Sequence, residues 1–181
     1  MSRVLLICGA SAALHKACEL ASTLTQAGDE VRCVLTPRAA RLIRPQLFEA
    51  LTGQPCQTSE WGHARRGAMS HIDLASWAEA AVLAPLSGDL AARVALGLGN
   101  DLASTTCLAL PSTVRRLACP AMNPHMLMAP AVQRNLAQLQ SDGWTILSPG
   151  EGHLACGVKG KGRLAEPAEI QAQLRRLLER K

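Results

Sequence analysis

Residues 3–11 read Arg3-Val4-Leu5-Leu6-Ile7-Cys8-Gly9-Ala10-Ser11. Val4 to Cys8 are all apolar, and they run straight into a glycine and two small residues. An unbroken apolar run closed by a turn is the pattern of a strand buried on both faces. Residues 14–27 then place apolar side chains at helical spacing, and Gly28 stands where such a helix stops. Glu30–Leu35 repeats the strand pattern and leads into Thr36-Pro37 and a helix-like stretch. Strand, loop, helix and strand in that order open a parallel α/β sheet.

The rest of the chain extends this unit. Further strands are expected at 80–84, 114–119 and 145–147, closed by Pro85, Pro120 and Ser148-Pro149. Helices fit 72–77, 90–96, 102–110 and 131–140. Residues 167–181 close the chain as an amphipathic helix with Ile170, Leu174, Leu177 and Leu178 on one face. No repeat, low-complexity segment or linker interrupts the pattern, and 181 residues suit one domain of roughly 100–200. The expected fold is α/β: a three-layer, doubly wound parallel sheet of Rossmann-like or flavodoxin-like type, over residues 1–181.

Composition excludes several classes of function. With three Trp, one Phe and no Tyr, the chain lacks the aromatic platforms of a base-stacking module. The net charge of +5 is dispersed, as at Arg41/Arg44 and Arg175/Arg176, so no nucleic-acid partner is expected. An anionic small substrate would still be steered by it. No apolar run approaches the ~18 residues of a membrane span, and Val4 to Cys8 is too short for a signal-peptide core, so a cytoplasmic protein without a membrane partner is expected. The seven cysteines are odd in number and form no C-x-x-C, so neither a disulfide framework nor a metal site follows.

In open α/β sheets, ligands bind outside the carboxyl ends of the strands. The loops there are Gly9-Ala10-Ser11, Thr36-Pro37-Arg38, residues 85–89 and residues 120–123. Small and hydroxyl side chains near helix N-termini suit a phosphate, although no Walker loop or G-x-G-x-x-G is present. Four segments stand apart from plain scaffold: SHIDL at 70–74, the stretch from Pro85 to Thr106, PAMNPHM at 120–126, and LACGVKGKGR at 154–163. Taken singly, a histidine at a helix start, an Asn at an N-cap and a Gly-rich loop each have ordinary structural explanations.

Taken together, the segments closely resemble the flavin-containing cysteine decarboxylases, and most of all their phosphopantothenoylcysteine decarboxylase branch. The resemblance rests on PAMNxxM (120–126), SHIxLA (70–75) and ACGxxGxGRxxEP (155–167). TGxP at 52–55, APxS at 84–87 and DLxSTT at 101–106 add to it. It implies FMN as cofactor and a small phosphorylated cysteine conjugate, 4′-phosphopantothenoyl-L-cysteine, as substrate. In the implied chemistry the cysteinyl side chain is first oxidised to a thioaldehyde. That electron sink permits loss of CO₂ to an enethiolate, which is then reduced. The resemblance makes His71 the base and Cys156 the proton donor, and has Asn123 bind the substrate carboxylate. It places Ser11, Thr36, Ser87, Asp89, Thr105, Ala121 and Met122 at the flavin. Asn123, Met126, Ala155, Lys159 and Arg163 are placed at the substrate, over which residues 154–163 would close as a flap.

Cys156 separates decarboxylases that complete the reductive half from those that only oxidise. The family also implies a homo-oligomer, a trimer or a dodecamer of trimers, with the flavin at a subunit boundary. A fused ligase domain does not fit into 181 residues, so a separate ligase is expected. Departures from the family pattern cluster near the flavin. Of G-[GS]-[IV]-A-A-Y-K, only Ser11, Ala13 and Lys16 fit well, and Gly88-Asp89-Leu90 replaces A-N-T. Asp89 is expected to repel an anionic reduced flavin and lower its redox potential. Leu127 stands for Trp and Leu164 for Met. Two other readings stay open: a decarboxylase of peptidyl C-terminal cysteine or another thiol acid, and a non-catalytic regulatory homologue.

Overall fold

In the computed structural model, which describes residues 1–61, 69–153, 157 and 159–179, the strands are Arg3–Cys8 (β1), Glu30–Leu35 (β2), Cys56–Gln57 (β3), Ala80–Leu86 (β4), Arg115–Pro120 (β5), Thr145–Ile146 (β6), Gly150–His153 (β7) and Lys159–Arg163 (β8). The first six form one parallel sheet in the order β3-β2-β1-β4-β5-β6. This is the doubly wound Rossmann order, with its switch point between β1 and β4. Both are central strands, and Val4 to Cys8 and Ala80 to Leu86 are buried throughout.

Helices cover both faces. Leu14–Gln26 (α1), Ala39–Leu42 (α2), Pro45–Thr52 (α3) and Pro167–Glu179 (α9) pack on the face to which Val4, Leu6 and Cys8 point. Ser70–Trp77 (α4), Gly88–Ala95 (α5), Leu102–Ala109 (α6) and Pro130–Ser141 (α8) pack on the other, against Leu5 and Ile7. Strand alternation thus divides one apolar run between two cores, each fully buried Leu or Ile adding about 1.5–3 kcal/mol. Asp29, just before β2, accepts both ends of the Arg175 guanidinium and the Ser2 amide, which pins α9 to the start of β1 and β2.

The structure departs from the sequence expectations in four places. β4 passes through Pro85, across a cis Ala84–Pro85 peptide, to Leu86, and β5 includes Pro120. Both prolines lie at strand ends, where a missing N–H costs little and the carbonyl still accepts: Pro85 O takes the Gly9 N–H at 2.9 Å. The two-residue β3 extends the sheet edge beyond the expected strands. Residues Pro124–Met128 form a short helix, α7, inside the PAMN segment. Lastly, β7 and β8 pair as an antiparallel hairpin, with His153 opposite Lys159, where a flap without strands was expected. Among the described residues no helix is long and apolar enough to cross a membrane, and no cluster of side chains suits a metal ion.

Candidate active site

The site is built where β1, β4 and β5 end. Gly9 brings the first loop close: a Cβ there would lie 2.7 Å from Ser87 Oγ and 3.0 Å from both Pro85 O and Ser87 N. Next to it, the Ala121 amide donates to Leu86 O at 3.0 Å. The Met122 amide donates to Gly162 O at 3.0 Å, so the hairpin docks on the PAMN loop. Between these loops opens a cleft of about 400 Å³, whose wall includes Ser11, Ser87, Met122, Asn123, Met126 and Arg163. Ala121 also lines it.

Ser11 Oγ accepts from the Ala13 amide at 3.2 Å and donates to Ala121 O at 3.4 Å, joining the first loop to β5's end. Ser87 is the N-cap of α5, its Oγ accepting from Leu90 N at 3.3 Å. Asn123 is the N-cap of α7: its Oδ1 accepts from His125 N at 2.8 Å. With Oδ1 committed to the cap, the NH₂ is the donor end of a side chain that lines the cleft, which suits an anionic oxygen.

The other sequence-derived positions lie elsewhere. Thr36 is buried, and its Oγ1 accepts from Ala39 N at 3.2 Å; it does not line the cleft. Thr105 donates to Asp101 O at 2.7 Å and lines a second cavity of about 600 Å³ with Glu60 and Trp61. Asp89 forms an ion pair with Arg93 at 3.0 Å, and Arg93 pairs in turn with Asp101 at 2.6 Å. The first turn of α5 carries Asp89 away from the cleft lining, because its carboxylate finds Arg93 one turn on. His71, on the first turn of α4, does not line the cleft. Its Nδ1 lies 3.2 Å from the buried Glu60 Oε1, which accepts no hydrogen bond among the described residues. The pair is ionic only when the imidazole is protonated. Ala155 and Cys156 lie outside the described residues, as does the Lys159 side chain.

Four residues the sequence reading did not place at the site belong there. His15, Lys16 and His153 line the cleft. His15 Nδ1 faces the Ala12 carbonyl at 3.1 Å. Behind the wall, Glu166 accepts from Lys16 Nζ at 2.6 Å and lies 3.6 Å from Arg163 Nη2. The Lys16 hydrogen bond, with the charges of Lys16, Arg163 and His15, lowers the Glu166 carboxyl below the usual carboxylate range. For Lys16, the signal was its match to the family's first-loop pattern. His15 and His153 carry no such signal, since only the fold turns them into one cleft.

The cleft fits FMN. Ala10, Ala12 and Ala13 leave the backbone of the first loop uncovered, Ser11 and Ser87 supply hydroxyls, and Met122 and Met126 supply apolar surface for a ring.

This arrangement defines a doubly wound flavoprotein. The Flavoprotein family model matches residues 1–179, and the chain belongs to that family. It is 41% identical over 167 residues to the coenzyme A biosynthesis bifunctional protein CoaBC of Bacillus subtilis, covering 92% of this chain and 41% of that protein. With the same protein of Escherichia coli K12 the identity is 44% over 158 residues, 87% of this chain and 38% of the other. The chain thus spans about two fifths of the length of these relatives. In structure it is similar to a cysteine-to-serine variant of PPC decarboxylase complexed with pantothenoylaminoethenethiol, with a TM-score of 0.87, 31% identity and 98% of each chain covered. It is also similar to the FMN-dependent cysteine decarboxylase SpaF, with a TM-score of 0.85, 29% identity, and 98% of this chain and 95% of that one covered.

Proposed function

We propose that this chain decarboxylates 4′-phosphopantothenoyl-L-cysteine to 4′-phosphopantetheine with FMN as cofactor. The observation that carries this reading is Asn123, held as a helix cap with its carboxamide on the cleft between Met122 and Met126. Carbon dioxide cannot leave an ordinary amino-acid carboxylate without an electron sink. FMN, when bound, supplies the two-electron acceptor chemistry that creates one at the cysteinyl carbon and later reverses it.

The chain's residues do the rest. Asn123 orients the carboxylate through a neutral donor, which does not hold the anion back from leaving. His71 takes a proton in the oxidative half. Cys156 returns a proton to the enethiolate, and the electron pair removed in the oxidative half would be given back by the bound FMN, so the overall reaction releases only CO₂. Lys16 and Arg163 on the cleft wall favour a substrate with more than one anionic group, which supports the phosphorylated conjugate over a thiol acid without a phosphate.

His71 stands off the cleft in its own chain, beside exposed Trp61, Met69 and Ile72. Such an apolar patch suits an interface. In this reading a homo-oligomer, a trimer or a dodecamer of trimers, brings His71 of one copy to the cleft of the next. The test is anaerobic addition of 4′-phosphopantothenoyl-L-cysteine to the yellow holoenzyme, with products identified by mass. Appearance of 4′-phosphopantetheine supports the reading, and a Cys156→Ser variant then stalls at the oxidised, decarboxylated thiol. A yellow protein inert to this substrate overturns it in favour of a peptidyl cysteine or another thiol acid.

A further inference from the structure

Glu166 touches two cations of the cleft without lining the cleft itself. The Lys16 side chain is only 12% exposed, and a lysine so covered needs a counter-charge. Glu166 Oε1 provides it at 2.6 Å and also faces Arg163 Nη2 at 3.6 Å. Lys16 belongs to α1 and Arg163 ends β8, so one carboxylate oxygen spans the two walls of the cleft.

The hairpin is shaped to bring Arg163 there. The Arg163 side chain lies across Gly152, where a Cβ would come within 2.7 Å of Nη1 and 3.0 Å of Cδ. On its other side the hairpin is fixed by the Gly162 carbonyl on Met122 N, and by Gly160 against Pro124. On the α1 side the tie is ionic, through Glu166.

The Glu166 carboxylate is not needed for the helix it precedes. α9 is capped by the Glu166 backbone: its carbonyl accepts from Glu169 N at 2.9 Å and Ile170 N at 3.0 Å, and its N–H donates to Glu169 Oε2 at 3.0 Å. A neutral isostere at 166 keeps all three bonds.

We propose that Glu166 is a positioning residue for this site: its carboxylate holds the Lys16 ammonium at the cleft wall and ties Arg163, and with it β8, to α1. Without that charge the two cations repel each other and separate, Lys16 turns toward solvent and the hairpin side of the cleft loosens. The proposal rests on the reading of this cleft as the flavin and substrate site.

The test compares the wild-type holoenzyme with its Glu166→Gln and Glu166→Asp variants by melting, by deuterium uptake of peptides covering 150–153 and 159–163, and by turnover of 4′-phosphopantothenoyl-L-cysteine. Glu166→Gln is expected to melt with the wild type, take up deuterium faster in both hairpin strands, and lose roughly 10- to 100-fold in kcat with a smaller change in KM. Glu166→Asp, which keeps the charge, recovers most of the protection and rate. Unchanged uptake in Glu166→Gln overturns the proposal. So does a fall in melting temperature with faster uptake along α9, which would make the role structural. If the wild type does not turn the substrate over, the functional reading fails instead, and uptake with its rescue by Asp still decides whether the tie exists.

Discussion

Gly9 donates its N–H to the Pro85 carbonyl at 2.9 Å, and this bond draws the ends of β1 and β4 together at the edge that carries the cleft. The approach leaves no room for a side chain, since two of the three nearest atoms to a Cβ at Gly9 are backbone. Gly9→Ala is therefore expected to cost about 1–3 kcal/mol of stability and to weaken FMN binding. Gly88→Ala is the contrast. Its Cβ would meet Met126 Cε at 3.6 Å and Met122 Sδ at 3.7 Å, ordinary contact distances. At the first position of α5 this change gains less than the about 0.5–1 kcal/mol of a helix interior. Thermal melts and flavin-fluorescence titrations of the two apoproteins measure the difference, and equal behaviour would mean the loops can part without harm.

Asp89 departs from the family pattern at a position expected to disturb the flavin, yet its charge is matched by Arg93, which Asp101 also holds. Asp89→Asn is expected to change FMN affinity by less than about threefold and stability by about 0.3–0.5 kcal/mol, as for an exposed helical pair. Asp101→Ala is expected to cost about 3 kcal/mol or more, because this carboxylate caps α6 and, at 6% exposure, is the buried partner of Arg93. A large gain in FMN affinity in Asp89→Asn would restore the repulsion argument.

The central strands were legible because Val4 to Cys8 and Ala80 to Ala84 are buried on both faces, so each writes a continuous apolar run. Ser11, Ser87 and Asn123 were legible because strand ends and helix caps select those residue types. The hairpin was not: GEGH and KGKGR hold neither alternation nor β-branched residues, and their pairing depends on docking against Met122 and Pro124. Partners of Asp89 and Glu166 were equally hidden, since a charge pair between distant segments leaves no local pattern. The Thr36 and Thr105 hydroxyls bond the backbone and stand off this cleft.

The cap made by Asn123 and its proposed role at the substrate can be separated. Asn123→Asp keeps an oxygen for the His125 amide and so keeps the α7 cap, while it sets a negative charge against the substrate carboxylate. It is expected to melt close to the wild type and to lose at least ~100-fold in kcat/KM. Asn123→Ala loses the cap as well, at about 1 kcal/mol. Turnover surviving in Asn123→Asp would remove the carboxylate from this position.

Thiol chemistry gives an independent check on Cys156. Burial pushes the Cys107 thiol up to about 12, aided by the Asp101 charge, and pushes Cys56 up to about 12 with the help of Glu49. Cys8, Cys18, Cys33 and Cys119 are raised by the same desolvation. These groups stay protonated and covered at pH 8, whereas a proton donor to the substrate must be reachable. Native protein at pH 8 is expected to react rapidly at Cys156 alone, against all seven cysteines after denaturation. Mass mapping of the alkylated peptide decides it, and rapid labelling of a native protein carrying Cys156→Ser would count against the assignment.

His71 and Asn123 offer a direct test of a shared site, because one lines the cleft of its own chain and the other does not. If each site takes Asn123 from one copy and His71 from the next, subunits carrying His71→Asn alone, or Asn123→Asp alone, make only defective sites. Co-expressed in equal amounts, they assemble at random. A site is then intact when its cleft comes from a His71→Asn subunit and its histidine from an Asn123→Asp subunit. That combination has a chance of about one in four for any closed ring of identical interfaces. The mixture is expected to recover about a quarter of wild-type turnover per flavin, while each variant by itself stays near zero. A mixture no more active than its parts would mean that His71 serves the cleft of its own chain, by a movement of α4 toward β5, and that the base does not cross a subunit boundary.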